Sequence, residues 1–230
     1  MDLEWANFEN LEFTFSENNY SISDRPNHVN MLEELFPGLR GGDGGIPEWK
    51  EEGAPWTILG YGPSGLISMM KEMFSESKDG IFIHPSASIG DYVEIQGPCF
   101  IGENAEIRHS AFLRKGSWIS KNAVVGHATE VKNSILLPHS KAPHFNYVGD
   151  SILGFGVNLG AGSKISNVRN DRRRVFLTMK DGSRIDSGLN KLGAMIGDDS
   201  QLGCNVVTNP GSIITPKSMI NPNETVSGWN

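Results

Sequence analysis

Aliphatic side chains recur at six-residue intervals from Ile83 through Ile89, Ile95, Ile101, Ile107, Leu113, Ile119, Val125 and Val131 to Leu137. Four positions after each comes a mostly small residue, among them Ala87, Cys99, Ala105, Ala111, Ser117, Ala123 and Thr129. Such a pattern suits a three-sided coil that closes every three hexads and stacks aliphatic on aliphatic inside a narrow prism of parallel strands. An ordinary β-sandwich would not keep one period over ten units without slippage. The predicted fold is mainly β, a parallel β-helix over 81–230 with a small α-containing region before it.

That preceding region, 1–80, has no hexads. Residues 1–55 hold twelve Asp/Glu against three Lys/Arg, a local net of −9 in a chain whose total is −7. A helix is predicted over 27–36, stopped by Pro37-Gly38. A second is predicted over 64–74, where Leu66, Met69, Met70, Met73 and Phe74 form one apolar stripe. Both should rest on the end or side of the prism.

The repeat is interrupted twice. After Leu137 the next aliphatic slot holds Pro143, and the period resumes with Val148, Leu153, Leu159 and Ile165. A loop at 138–147 is therefore expected to project, carrying Lys141, His144, Phe145, Asn146 and Tyr147, and interruptions of a regular scaffold are common places for function. The second projection is expected at 167–192. Residues 164–191 carry eight Lys/Arg and three Asp, a local net of +5, and 175–179 and 184–185 flank an Asp181-Gly182 hairpin turn. Coils return at Ile196, Leu202 and Ile214. Without interleaved aromatic residues, and in an acidic chain, this basic stretch does not suggest a nucleic-acid partner.

Arg114 and Lys132 stand 18 positions apart, on one edge of adjacent coils. Two stacked cations repel unless an anion or carboxylate lies between them, and a phosphate is the natural candidate; the alternative is that both splay into solvent. Gly60-Tyr61-Gly62-Pro63-Ser64-Gly65 matches GxGxxG but lacks the βαβ unit of a dinucleotide site, so it reads as a turn before a helix. His139 and His144 share an HxxxxH spacing, yet the position two coils before His139 is Glu103, and His109 and His127 are expected on a column of their own. No catalytic metal is expected. Cys99 and Cys204 suit a reducing compartment, with Cys99 a buried thiol. No charged, then apolar start and no run of roughly 18 apolar residues is present, so a soluble cytoplasmic protein without a membrane partner is expected.

Residues 132–167 contain His144-x-x-Tyr147-x-Gly149-Asp150 followed by Val157-Asn158-x-Gly160-Ala161-Gly162. This stretch resembles the acetyltransferase half of the bifunctional glucosamine-1-phosphate acetyltransferase/N-acetylglucosamine-1-phosphate uridylyltransferases of the hexapeptide-repeat superfamily. Residues 167–171 and 181–194 are similar instead to the archaeal-type sugar-1-phosphate nucleotidyltransferases that carry an amino-sugar acetyltransferase domain. The resemblance covers 81–215. It implies a left-handed coil, which spacing alone does not establish against the usual right-handed crossover. It also implies a homotrimer, acetyl-CoA as co-substrate, and glucosamine- or galactosamine-1-phosphate as acceptor in UDP-N-acetylglucosamine biosynthesis.

By the same resemblance His144 is the general base, Arg114 and Lys132 hold the sugar phosphate, and Tyr147 and Asn158 hold the sugar. Asn167 and Arg173 complete the acceptor side, Arg173 standing where lysine is usual, and Gly160, Ala161 and Cys204 border acetyl-CoA. Residues 1–80 hold no nucleotidyltransferase, since 40–45 lacks the strand and lysine of a nucleotide loop, so uridylyl transfer is not expected. Two other classes remain open: an acetyltransferase for another acceptor, and a non-catalytic β-helix serving assembly or regulation.

Overall fold

The structure is a computed structural model that describes residues 31–41, 45–47 and 54–230. Each hexad becomes a short strand and a corner. The strands form three seven-stranded parallel sheets, which are the three faces of a parallel β-solenoid. The first face begins with Ile81–Ile83, the second with Ser88–Ile89 and the third with Glu94–Ile95. Register places like over like: Ile83 on Ile101 and Ile101 on Ile119, Ile107 on Val125, Leu113 on Val131. These side chains fill the prism, and Ile101, Leu113, Ile119, Val125 and Val131 are fully buried. Burial of each contributes about 1.5–3 kcal/mol.

The corners require backbone at positive φ. Asn104, Asn122 and His139 supply it between the first and second faces, Ser110, Ala128 and Phe145 between the second and third, and Gly116, Asn133 and Asp150 between the third and first. Asn and Asp tolerate this conformation because their side chains bond locally.

The loop expected at 138–147 does not project. Lys141–His144 is a regular strand of the second face, with Lys141 opposite Val124, Ala142 opposite Val125 and His144 opposite His127. Ala142 takes the inward slot that had been placed at Pro143, and Leu136, stacked on Ile119, is inward in place of Leu137. Leu137 belongs to the core outside the prism. The coil has lost residues where an insertion was expected. Val131 to Leu136 and Val148 to Leu153 are five-residue steps, so Ser117 pairs with Ser134 and Ile135 with Ile152, 17 positions apart.

Outside the first face runs a second apolar stripe: Phe82, Phe100, Trp118, Ile135, Ile152, Met195 and Ile213, each in register with the next. The N-terminal segment covers it with the helix Met31–Leu35, the 3-10 turn Pro55–Leu59 and the helix Leu66–Met73. Phe74 stacks on Phe82 and Phe100 at 5.6 and 6.0 Å, and Phe100 stacks on Trp118 at 4.3 Å. The Trp118 indole donates to the Gly45 carbonyl at 2.7 Å. Of the two expected helices, 27–36 is seen as Met31–Leu35, with 27–30 outside the described residues, and 64–74 is seen as Leu66–Met73. The Gly60–Gly65 run follows a 3-10 turn and opens no βαβ unit.

Between Ile165 and Ala194 the chain leaves the coil as an antiparallel hairpin, Phe176–Thr178 with Arg184–Asp186. Its Val175, Leu177 and Met179 join the outer core. No helix among the described residues is long and apolar enough to cross a membrane.

Candidate functional site

The corner between the second and third faces gathers the expected base and the expected acetyl-CoA residues in one column. Backbone bonds link its rungs: Ala128 N–H to the His109 carbonyl, Phe145 to His127, Gly162 to His144, Asn205 to Ala161 and Asn223 to Cys204. His109, His127, His144, Ala161 and Cys204 are therefore successive members. This corrects the expectation that His109 and His127 stand apart from His144, because the 17-residue rung brings all three into line. The His109 and His127 rings stack at 5.5 Å, and His144 is exposed at the rim.

Buried Asn146 holds the His144 segment in place. Its Oδ1 accepts the His144 N–H at 3.0 Å, and its Nδ2 donates to the Gly160 carbonyl at 2.8 Å. One side chain thus ties the candidate base to the segment that carries Gly160 and Ala161. Gly160 itself must be glycine, since a Cβ there would lie 2.4 Å from the Cys204 nitrogen. Cys204 is exposed, whereas Cys99 lies inside the prism, where burial pushes its thiol up.

The other edge of the third face carries the expected phosphate ligands Arg114 and Lys132, and both already have a protein partner. Arg114 meets Glu130 at 2.7 Å and Lys132 meets Asp150 at 3.0 Å. Asp150 is fully buried. Besides Lys132 it accepts from the Tyr61 hydroxyl at 2.8 Å, Asn133 Nδ2 at 2.9 Å and Asn167 Nδ2 at 2.5 Å. Asn167 reaches the Tyr147 hydroxyl at 3.2 Å as well. The glycine of the Tyr147-x-Gly149-Asp150 run makes room for this, since a Cβ on Gly149 would come within 2.6 Å of both Asn167 Nδ2 and the Tyr147 oxygen. Burial, then the Asp150 charge, pushes the Tyr61 phenol up, and burial also raises Tyr147. Both are neutral hydrogen-bonding groups near neutral pH.

Tyr147 begins the third-face strand three residues after His144, so it lies between the two corners. Asn158 is on the second face, between Lys141 and Gln201, around the corner from Tyr147. Arg173 is exposed beyond the third face, where its backbone N–H and the Arg169 guanidinium hold the Asp171 carboxyl well below the usual range, Arg169 contributing most. A cavity of about 350 Å³ is lined by residues 166, 168–171 and 209–210, and not by Asn167. One copy of the chain therefore joins His144 with Ala161 and Cys204, and Arg114 with Lys132, Tyr147 and Asn167; Asn158 lies on the second-face strand next to the one that carries His144, and Arg173 lies beyond the third face. The sequence reading missed Tyr61 and the bracing role of Asn146.

A family model described as "GMPPB C-terminal domain" matches residues 95–227. The chain belongs to that family. As a member of the GMPPB C-terminal domain family it is similar to a "Bifunctional sugar-1-phosphate nucleotidylyltransferase/acetyltransferase" of Sulfurisphaera tokodaii, 35% identical over 197 residues, covering 78% of this chain and 46% of that protein. It is similar also to a "Bifunctional protein GlmU" of Methanococcus vannielii, 32% identical over 181 residues, covering 76% and 43%. An "Uncharacterized acetyltransferase YaiX" of Escherichia coli is 34% identical over 150 residues, covering 65% of each chain. The resemblance read from residues 132–167 is borne out by these relatives. The chain spans less than half the length of the two bifunctional proteins.

Proposed function

We propose that the chain is an acetyl-CoA-dependent N-acetyltransferase whose acceptor is an amino-sugar phosphate, glucosamine-1-phosphate or galactosamine-1-phosphate, in nucleotide-sugar biosynthesis. The observation that carries this reading is the single column His144, Ala161 and Cys204, with the His144 segment braced through Asn146 to Gly160. The acetyltransferase relatives support the transferred group.

His144 accepts the proton that the acceptor amine loses as its nitrogen bonds to the thioester carbonyl carbon. The C–S bond then breaks, and the imidazolium returns the proton to the departing thiolate. Backbone N–H groups beside Ala161 are the donors available to the oxyanion. No covalent enzyme intermediate enters. Arg114 and Lys132 lie at the far edge of the same face, with the neutral Tyr147 hydroxyl between, an arrangement suited to a sugar that carries a reacting amine at one end and a phosphate at the other. Nucleotidyl transfer is not part of the proposal, and a homotrimer with sites between subunits follows from the family resemblance.

A second reading, an assembly or regulatory module, is favoured by one observation: Lys132 is already engaged by buried Asp150 and by Tyr61. Thiol release from acetyl-CoA, with each amino-sugar phosphate and with product identified by mass, separates the two. An acetamido-sugar phosphate is the expected product. Acetyl-CoA binding without thiol release in the presence of either amino-sugar phosphate would point to another acceptor, and absence of binding would favour the module.

A further inference from the structure

We propose that Tyr61 sets the anion affinity of the acceptor site by occupying the place on Lys132 that an anion would take. This rests on the reading of Lys132 as a phosphate ligand. An ammonium group has three protons to donate. Lys132 Nζ directs them at the two carboxylate oxygens of Asp150, at 3.1 and 3.0 Å, and at the Tyr61 hydroxyl, at 2.5 Å, so none is left for a ligand. The Tyr61 ring also lies 5.2 Å from Nζ.

Of these partners only one can be exchanged. Asp150 is fully buried and fixed by Asn133 and Asn167 as well as by Lys132. Tyr61 is 56% exposed and sits on the Gly60–Gly65 turn, where Gly62 has open space around it. Arg114 is near enough for its charge to act on both Tyr61 and Tyr147, opposing there the stronger influence of burial and of the Asp150 carboxylate. The Tyr61 hydroxyl also donates to Asp150 at 2.8 Å, so an anion that displaces it must turn a protonated oxygen to that carboxylate, as hydrogen phosphate does, while a charged oxygen replaces the neutral acceptor on Lys132, and charge-assisted bonds are the stronger. A segment outside the coil thereby decides how readily the coil takes a phosphate.

Titration calorimetry of the full chain with inorganic phosphate tests this. Tyr61→Phe, which keeps the ring and removes the competing oxygen, is expected to bind phosphate about tenfold tighter than the wild type, the effect of one hydrogen bond to a charged group. Tyr61→Leu is expected to shift affinity in the same direction, and serves if the phenylalanine variant disturbs the turn. Lys132→Met combined with Asp150→Asn removes the ion pair as a unit and is expected to abolish binding in both the wild-type and the Tyr61→Phe background. Equal or weaker affinity in both Tyr61 variants, binding that survives loss of Lys132, or no binding by any form would overturn the proposal. Acetyl transfer is measured separately. Tighter binding in a protein that turns over no amino-sugar phosphate would sink the acetyltransferase reading alone, and turnover with unchanged phosphate affinity would sink this one alone.

Discussion

Asp150 shows how one residue can serve the coil and the site together. It turns the corner at positive φ and gathers Lys132, Asn133, Asn167 and Tyr61 around one buried carboxylate. Asp150→Ala would leave a half-buried ammonium and two buried amides without their acceptor. A loss of about 3–5 kcal/mol in denaturant-melt stability is expected, the usual consequence of removing one partner of a buried pair. The raised phenols predict a pH effect with a definite sign. Tyr61 and Tyr147 ionise later in the folded chain than in the unfolded chain, so their contribution is complete below the ordinary phenol value of about 10 and is lost as pH rises beyond it. Urea melts in that alkaline range should show a shallower decline for Tyr61→Phe than for the wild type; an unchanged slope would contradict the assignment. His144 and Tyr147 stood out because they sit in one motif on a regular scaffold, and Arg114 and Lys132 because an 18-residue spacing stacks them on one edge. Tyr61 was not, since its partners lie 71 and 89 positions away and nothing local marks the contact.

At the scale of the strand, the hexads were legible because each inward side chain meets the equivalent residue of the next rung, and burial leaves the same sign every six positions. The shortened rungs were not. Leu136 and Leu137 are both aliphatic and adjacent, so the lost residue leaves no gap in hydropathy, and the next slot, Ala142, is small enough to pass unnoticed beside Pro143. The strand that carries His144 depends on close approach to the rung before it. A Cβ on Gly126 would sit 1.6 Å from the Pro143 carbonyl oxygen. Gly126→Ala should therefore displace Lys141–His144 and cost about 1–3 kcal/mol or more by overpacking. It should depress acetyl transfer as well, because the strand ends on the candidate base. Thermal melts and turnover measured together check this, and a variant normal in both would show that the rung has slack the geometry does not reveal.

Across the whole molecule, the N-terminal segment is a cover for the first face rather than an appendage. Without it the Phe82 end of the stripe would be exposed, while Val175, Leu177 and Met179 of the hairpin still pack in the same outer core, and an exposed apolar strip of this kind drives association. A chain beginning at Ile81 is expected to aggregate on size-exclusion chromatography at concentrations where the full chain does not. The stripe was present in the sequence one position before each inward aliphatic of the first face, hidden because the hexad reading looks only at the inward slot. The same segment brings Tyr61 to Lys132, so cover and candidate site share one piece of chain. The chemistry itself rests on His144. The most direct measurement is the rate of thiol release from acetyl-CoA at saturating glucosamine-1-phosphate or galactosamine-1-phosphate, wild type against a folded His144→Ala variant. Loss of the general base should lower kcat by about 10²–10⁴-fold. A variant that keeps the wild-type rate would show that His144 is not the general base.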